Sequence, residues 1–492
     1  MPPLMLPATF APLAAAVASC FTAPTYRTFR YLVAGWVRCR GRHTITAVAL
    51  AAGVVGWWHV SVFHRFFSRA RWDADALGKV VFRLALRWVP AAEPVVVLVD
   101  DTLARKHGKA IALGSMHHDP LLSSVHKAFA SFGHVWVVLA LWVPLPFGPR
   151  GEAKGVAVPL LFRLYVGSRR GNRADARAGG PRATSGPRCW RAQAAFPPPA
   201  RRPTKPELAR EGIAVVARWA AELVPGRRLY VVGDTAYTNR ATLEGRPANV
   251  EVVGRLRPDA ALWTPPPPRR PGQLGRPRKR GARLPTPAAM AATRRHWHPL
   301  RVTLYGRPVT PRVCRGTALW PGALRDAPIR FVVVRDPSGR RHDEAFFCTD
   351  HSVGVAFVLT TYAKRWSLEV TFFDCKQSLG LEDPQNQAPL AVRRTAPFAG
   401  LVYALVVLWA ARQIDDGAVL TTPPRPWYRH KAQVGLSFGD LLASLRQAGL
   451  ARVAVTSWRL TAPACPPRRD PKPRSRCHAL RRTPAHNGAT RD

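Results

Sequence analysis

The sequence has few acidic residues, no closely spaced cysteines and no apolar run long enough to cross a membrane. Asp and Glu total 29 against 74 Lys and Arg, which leaves a formal net charge of +45 in 492 residues. A surplus of this size attracts polyanions and favours nucleic acid as the partner. A GC-rich genome also inflates arginine, and we assign part of the surplus to it, but the remaining charge is still strongly positive.

The spacing of the eight cysteines also excludes whole classes of site. No C-x-x-C pair occurs, which argues against a zinc knuckle or a redox motif. Dispersed cysteines fit a reducing cytosol better than secretion, and residues 1–20 lack the basic start of a signal peptide. We therefore expect a cytoplasmic protein.

Two apolar runs, 45–62 and 396–411, are shorter than the ~20 residues that a membrane-spanning helix needs. We expect both to be buried core helices, and no association with a membrane.

The order of patterns along the chain predicts several domains, because 492 residues exceed what one hydrophobic core usually spans. Apolar periodicity predicts a helical N-terminal, DNA-binding domain, and strand–helix alternation then predicts an α/β core. The predicted parts are the helical domain at 1–90, the core at 91–257 and 350–415, a Pro/Arg-rich linker with a β-rich insertion at 258–349, a helical region at 416–462 and a disordered basic tail at 463–492.

Within the core, two predicted strands end in aspartate. The β-branched run 95–99 predicts a buried strand that stops at Asp100-Asp101-Thr102. A second short strand, 228–232, is followed by Gly233-Asp234. Further strands are expected at 134–143, 157–166 and 250–256, and helices at 206–224, 354–380, 388–415 and 436–449.

Segment 168–203 interrupts this alternation. It contains nine Arg and no Leu, Ile, Val, Lys or Glu. Two interpretations stay open: a flexible insertion, or a stretch translated out of frame, since GC-rich DNA often encodes such mixtures in shifted frames.

Two aspartates at the ends of predicted strands and one glutamate in a predicted helix form the candidate catalytic pattern. A carboxylate at the end of a strand lies at the rim of the sheet, where substrate has room. In the helix that carries Glu369, a spacing of 100° per residue places Tyr362, Arg365, Glu369 and Lys376 within an arc of roughly 60°. We expect this polar stripe to face a site while its flanks pack, with Leu368 and Phe372 on one side and Trp366 and Phe373 on the other.

The spacing Y-x2-R-x3-E-x6-K resembles the signature of a large group of bacterial insertion-sequence DDE transposases. Asp100-Asp101-Thr102 resembles the D-x-T that follows that family's first strand, and Asp234 with Tyr237 resembles its second-acid motif. The acids come in the family's order, 134 and 135 positions apart, and the resemblance covers roughly residues 20–450.

This resemblance implies a ribonuclease-H-like core, a mixed sheet flanked by helices, with a β-rich insertion before the Glu helix. It implies that Asp100, Asp234 and Glu369 hold two Mg²⁺, with Mn²⁺ as an alternative. Tyr362, Arg365 and Lys376 would contact phosphates of the transposon end. The expected activity is metal-dependent cleavage at terminal inverted repeats and strand transfer into target DNA, by a homodimer associated with a bacterial nucleoid.

Several alternatives stay open. Asp101 competes with Asp100 for the first position, although D-x-T spacing favours Asp100. Residues 275–281 resemble a minor-groove hook, in which Arg276, Arg278, Lys279 and Arg280 would bind DNA, or else they form a basic linker that contacts only phosphates. For the whole chain, an inactive transposon relic that only binds DNA and a nuclease without strand transfer are the competing functions.

Overall fold

The computed structural model describes residues 6–108, 110–124, 126–167, 202–269, 271, 274–325, 327–420, 422 and 434–457. The predicted tail and almost all of the segment 168–203 lie outside these residues.

Helices account for most of the N-terminal part and for the C-terminal half of the core. They are α1 (Ala11–Ala16), α2 (Ala23–Arg38), α3 (Ile45–Ala51), α4 (Ser61–Ser68), α5 (Ala74–Leu86), α6 (Lys205–Leu223), α7 (Arg240–Leu243), α8 (Pro287–Thr293), α9 (Pro321–Leu324), α10 (Val355–Ala363), α11 (Trp366–Leu379), α12 (Pro389–Asp415) and α13 (Phe438–Ser457). Short 3₁₀ turns lie at Ala8–Phe10, Ala18–Cys20 and Pro149–Gly151.

Strands supply one large sheet and a small hairpin. They are β1 (Val95–Arg105), β2 (Ser115–His118), β3 (Ala130–Leu145), β4 (Lys154–Tyr165), β5 (Leu229–Gly233), β6 (Val250–Leu256), β7 (His298–Pro299), β8 (Val302–Leu304), β9 (Arg307–Val309), β10 (Arg312–Leu319), β11 (Pro328–Arg335) and β12 (Glu344–Cys348). Strands β8 and β9 pair with each other in the hairpin.

The large sheet is mixed, and this confirms the expected α/β class. Its order is β2-β3-β1-β5-β6-β12-β11-β10-β7, and β4 pairs with β3 as well. Strand β1 runs antiparallel to β3 and parallel to β5, and β5 runs parallel to β6. The chain leaves β4 and returns to β5 through α6, the kind of long connection that joins strands at separate places in a sheet.

Strand β1 is longer than its apolar run predicts. The expectation that it stops at Asp100-Asp101-Thr102 is wrong, because pairing with β3 continues to Arg105, opposite Gly133. The partner strand supplies backbone hydrogen bonds to residues whose polar side chains suggest a strand end. Both aspartates therefore lie inside a strand, and side chains of neighbouring strand residues point to opposite faces.

Strands from the predicted insertion extend the same sheet. Strand β12 pairs antiparallel with β6, with Phe347 opposite Gly254, and β11 and β10 follow in order. The 258–349 segment and the preceding core strands thus share one hydrogen-bonded surface. The predicted domain boundaries themselves stay predictions.

The hydrophobic core surrounds α12, which contacts β4, α4, α5 and α11. Of the described residues, α12 is the helix whose length and composition would suit a membrane span, but 94% of its most apolar window is buried within the fold. This agrees with the expectation of a core helix at 396–411. The run 45–62 is different: α3 ends at Ala51, the chain turns through Gly53 and Gly56 at positive φ, and Trp57 is exposed, so the single buried helix expected there is wrong.

Candidate active site

Asp100 lies on β1 with little solvent contact and one cationic partner. Its Oδ2 accepts a hydrogen bond from Nη1 of Arg365 at 2.5 Å, and its side chain is 14% exposed. The pKa of Asp100 is raised to about 7: burial raises it most, Arg365 lowers it, and the nearby Asp234 raises it. This carboxyl group therefore sits where a second positive charge would be favourable.

Asp234 follows β5 directly and is placed beside Asp100 by strand pairing. Val99 is opposite Gly233 in the parallel β1–β5 register, so the residues that follow them, Asp100 and Asp234, lie at the same level of the sheet. The turn after β5 fixes this residue: the amide of Ala236 donates to Oδ1 of Asp234 at 2.9 Å, and the Thr238 hydroxyl donates to the Asp234 carbonyl at 2.9 Å.

Glu369 reaches the site from α11. Nη2 of Arg365 lies 2.7 Å from Oε1 of Glu369, so one guanidinium bridges the first and the third acid. Burial lowers the pKa of Arg365, but Asp100, Tyr362 and Glu369 more than offset this and hold it above its usual value. Asp234 thus lies near Asp100, and Arg365 connects Asp100 to Glu369. The three acids of the predicted triple lie in one region of the fold.

The predicted continuous helix over 354–380 is wrong, because α10 ends at Ala363 and α11 begins at Trp366. Across the junction the amides of Lys364 and Arg365 bond three residues back, to Thr361 and Tyr362, a 3₁₀ pattern that tightens the turn. Tyr362 therefore belongs to α10, while Glu369 and Lys376 belong to α11.

The polar stripe faces the large sheet, but its members have different partners. Tyr362 packs against Phe346 with ring centroids 4.6 Å apart, and Arg365 lies 6.0 Å from its ring. Lys376 donates to the Leu103 carbonyl at 2.7 Å and lies 3.3 Å from Oε1 of Glu382. The Lys376 ammonium is thus occupied by protein oxygens in this conformation.

The two flanks of the stripe differ. Leu368 and Phe372 are buried, as expected. Trp366 and Phe373 are 55% and 63% exposed, so the expectation that this second flank packs is wrong. This side of α11 is therefore open to solvent.

Asp101 points to the other face of β1. Its Oδ1 accepts from the Tyr237 hydroxyl at 2.5 Å, and its Oδ2 lies 2.8 Å from Nζ of Lys205 at the start of α6. Asp100 contacts Arg365 instead, so the geometry separates two acids that the sequence left as rivals.

The basic segment 275–281 lies in an exposed loop. Arg276, Arg278, Lys279 and Arg280 are all exposed, and the guanidinium of Arg280 lies 5.7 Å from the ring of Trp263. Their exposure is compatible with either interpretation of this segment.

Two side chains near the acids carry no obvious signal in the sequence. Tyr305, which is 52% exposed, is at positive φ in the turn between β8 and β9. Partial burial raises its pKa, Glu344 and Glu369 raise it as well, and Arg365 lowers it. Arg255, on β6, lies 2.9 Å from Glu344 and acts on the pKa of Tyr362. Arg255 comes to this region through the pairing of β6 with β12, and Tyr305 through the packing of β8 against α10, contacts that local patterns do not encode.

The donor set suits a hard divalent cation, although Arg365 stands within it. No three His, Cys, Asp or Glu side chains of the described residues are grouped closely enough to hold an ion as they stand. Asp100, Asp234 and Glu369 offer carboxylate oxygens, which Mg²⁺ prefers. Burial and the nearby Asp234 raise the pKa of Asp100, so an added cation would favour its charged form. With the Arg365 guanidinium turned away, these three residues could hold such an ion.

Comparison with known proteins places more than half of the chain in one family. Residues 16–309 match the family described as DDE superfamily endonuclease. The matched range includes Asp100 and Asp234 and ends before Glu369. A solved structure, a piggyBac transposase synaptic complex with hairpin DNA, aligns with a TM-score of 0.38 and 12% identity over 93% of this chain and 78% of that one. No curated protein matches the chain in sequence.

Proposed function

Because the chain belongs to the DDE superfamily endonuclease family, we propose that it is the DNA transposase of an insertion sequence, cutting transposon ends and joining them to target DNA. The observation that carries the proposal is that Arg365 bridges Asp100 and Glu369 while Asp234 lies near Asp100. The net charge of +45 supports DNA as the partner.

We propose a ribonuclease-H-like arrangement for the core. The order β4-β3-β1-β5-β6, with three antiparallel strands followed by two parallel ones, supports it. In this arrangement the first acid lies on the central strand β1 and the second follows its parallel neighbour. The third acid then comes from a helix after the added strands β10–β12.

The proposed mechanism assigns a task to each side chain of the site. Asp100, Asp234 and Glu369 would hold two Mg²⁺ or Mn²⁺, which stabilise charge on the attacking and leaving oxygens of an in-line displacement at phosphorus. Arg365, released from the acids, would bind a phosphate of the transposon end, because a guanidinium matches phosphate oxygens in geometry and charge. Tyr362 would donate a hydrogen bond to the same backbone.

Lys376 would join these phosphate contacts after leaving the Leu103 carbonyl. Terminal inverted repeats and target DNA are the proposed substrates. Bringing two ends together implies a homodimer on DNA, and we propose that it acts at the bacterial nucleoid in the cytoplasm.

The test uses DNA that flanks the gene on both sides, incubated with the full chain and Mg²⁺. We expect cleaved ends and joined products from the wild-type protein, and a decrease of at least about 100-fold in cleavage for Glu369→Gln. Asp374→Asn is the matched control, since Asp374 is on the same helix, does not contact the acids, and already has a pKa raised by burial to about 6.

Each remaining outcome has a distinct meaning. Unchanged cleavage by Glu369→Gln would contradict the assigned role of Glu369. Cleavage without joining would identify a nuclease that lacks strand transfer. DNA binding without cleavage under any of these conditions would favour an inactive relic.

A further inference from the structure

Asp101 contacts side chains from two other parts of the fold, the turn after β5 and the start of α6. The Tyr237 hydroxyl donates to Oδ1 of Asp101 at 2.5 Å, and Nζ of Lys205 lies 2.8 Å from Oδ2. The side chain of Tyr237 is 1% exposed, whereas Asp101 and Lys205 are 23% and 35% exposed. Asp101 therefore joins β1 to the turn after β5 and to the first turn of α6.

The tyrosine held by Asp101 belongs to the turn that carries Asp234. Its amide donates to the Asp234 carbonyl at 3.1 Å, and the Thr238 hydroxyl donates to the same carbonyl at 2.9 Å. A ring fixed at Tyr237 thus fixes the backbone of Asp234 three residues before it. The bond between Tyr237 and Asp101 adds a side-chain link from this turn to the strand that carries Asp100, beside the backbone pairing of β1 with β5.

Strand β6 packs closely against this turn. A Cβ added at Gly254 would lie 2.2 Å from Cγ2 of Thr238, so the absence of a side chain at Gly254 lets the turn lie directly on the strand. The Thr238 hydroxyl also lies 3.3 Å from the Arg255 carbonyl. The turn is therefore held from two sides, by β6 and by Asp101.

We propose that Asp101 is a positioning residue for the two-acid site: through Tyr237 it holds Asp234 beside Asp100, and Lys205 keeps its carboxylate in place. This inference rests on the proposed function, since it assumes that Asp100 and Asp234 bind divalent cations. Groups that orient metal ligands typically change metal affinity or activity by about 10–100-fold when they are removed.

The chain contains a matched tyrosine–aspartate pair at the opposite end of β5. The Tyr230 hydroxyl donates to Oδ2 of Asp350 at 2.8 Å, and Arg228 is the cation that also contacts this carboxylate. Tyr230 is buried on the same strand, so Tyr230→Phe removes the same kind of hydrogen bond without touching the turn that carries Asp234.

The experiment measures Mn²⁺ binding to the full-length protein without DNA, by isothermal titration calorimetry or by electron paramagnetic resonance of the free ion. We expect Tyr237→Phe to raise the Kd for Mn²⁺ about tenfold and to lower cleavage correspondingly. Tyr230→Phe should leave the Kd for Mn²⁺ unchanged. It should lower Tm by about as much as Tyr237→Phe does. An unchanged Kd in Tyr237→Phe, or an equal rise in Tyr230→Phe, would overturn the positioning role.

Asp101→Asn provides a second, conservative test. The amide can still accept from Tyr237 but no longer carries the charge paired with Lys205, and we expect the Kd to rise about threefold because ionic hydrogen bonds are stronger than neutral ones. Wild-type affinity in this variant would overturn the role assigned to Lys205. A wild-type protein that bound no Mn²⁺ would instead count against the proposed function itself.

Discussion

At the scale of single residues, Arg365 shows how the negative charges of the site are balanced. Its guanidinium contacts Asp100 and Glu369 together, at 2.5 and 2.7 Å. Its Nε is buried and has no hydrogen-bond partner among the described residues. This side chain thus satisfies both acids while leaving one of its own donors unpaired, an arrangement that a phosphate oxygen could improve.

Asp100 makes the stability of the metal-free protein depend on pH. Folding raises its pKa from an ordinary 3.8 to about 7, mainly through burial. An acid with a raised folded pKa is favoured in its protonated form, so the free energy of unfolding falls as pH rises from about 4 through 7. Urea unfolding with EDTA should show wild type losing roughly 1–3 kcal/mol relative to Asp100→Asn between pH 5 and pH 8.

Asp100→Asn is informative here because its amide still accepts a hydrogen bond from Arg365 but does not titrate. If the stability of wild type and variant fell in parallel over this range, the Asp100 carboxyl would not be the titrating group. The comparison needs no DNA and is therefore independent of catalytic activity.

At the scale of elements, local patterns predicted where most core strands and helices lie. Apolar runs placed β1, β3, β4, β5 and β6 near their observed positions, because buried strands need continuous or alternating apolar residues. The ends were less predictable. The extension of β1 to Arg105 depends on β3, a strand about thirty positions away, and no local signal at Asp100-Asp101 indicates it.

The α10–α11 region shows the same limit for helices. Apolar periodicity continues across Lys364 and Arg365, so the sequence predicts one helix, whereas the structure has a 3₁₀ junction at these residues. The exposed flank of α11 was also missed. A pattern identifies which residues are apolar, but the contacts of the neighbouring elements decide which of them are covered.

That difference between the flanks of α11 can be measured at adjacent positions. Phe372 is 8% exposed and Phe373 is 63% exposed. We expect Phe372→Ala to lower the free energy of unfolding by about 3–5 kcal/mol, because it removes buried surface and opens a cavity. Phe373→Ala should change it by no more than about 0.5 kcal/mol.

Chemical denaturation followed by circular dichroism would compare these two variants under identical conditions. Similar destabilisation of both would contradict the exposed position of Phe373. Because each variant removes the same side chain from the same helix, differences in helix propensity cancel.

At the scale of the whole molecule, the positive charge predicts DNA binding that weakens steeply with salt. Removing one phosphate-binding side chain should reduce the slope of log K against log salt by about 0.9. Arg276→Ala with Arg278→Ala, in the exposed loop 275–281, should therefore reduce the slope by about 1–2. Fluorescence anisotropy with duplex DNA at several salt concentrations measures this.

The control for the loop is Arg210→Ala with Arg218→Ala, an equal reduction of charge at exposed positions on α6. This control should change the slope less than the loop variant does, and equal effects would contradict a specific DNA-binding role for the loop. Comparing A·T-rich with G·C-rich duplexes separates the two interpretations of the loop. If the loop is a minor-groove hook, the wild-type protein should prefer A·T-rich DNA and lose this preference when Arg276 and Arg278 are replaced. If the loop is a phosphate-binding linker, the wild-type protein should show no such preference.

The architecture beyond β6 could not be predicted from patterns alone. The sequence indicated β-rich structure after residue 258, but not that β12, β11 and β10 would continue the sheet. Strand partners are chosen by register and by side-chain packing between segments far apart in the chain. The candidate acids were easier to find, since their residue types and order are visible in the sequence, while the partners of Asp101 and Glu369 appeared only in three dimensions.

The unbroken ladder from β1 through β5 and β6 to β12 has a mechanical consequence. Asp100 lies on β1 and Asp234 directly follows β5, and these strands cannot slide without breaking backbone hydrogen bonds along the ladder. This part of the site is therefore stiff. Glu369 and Arg365 are attached differently, at and just after the 3₁₀ junction that separates α10 from α11. Small movements that admit or release a charged ligand would therefore occur mainly at the 3₁₀ junction between α10 and α11.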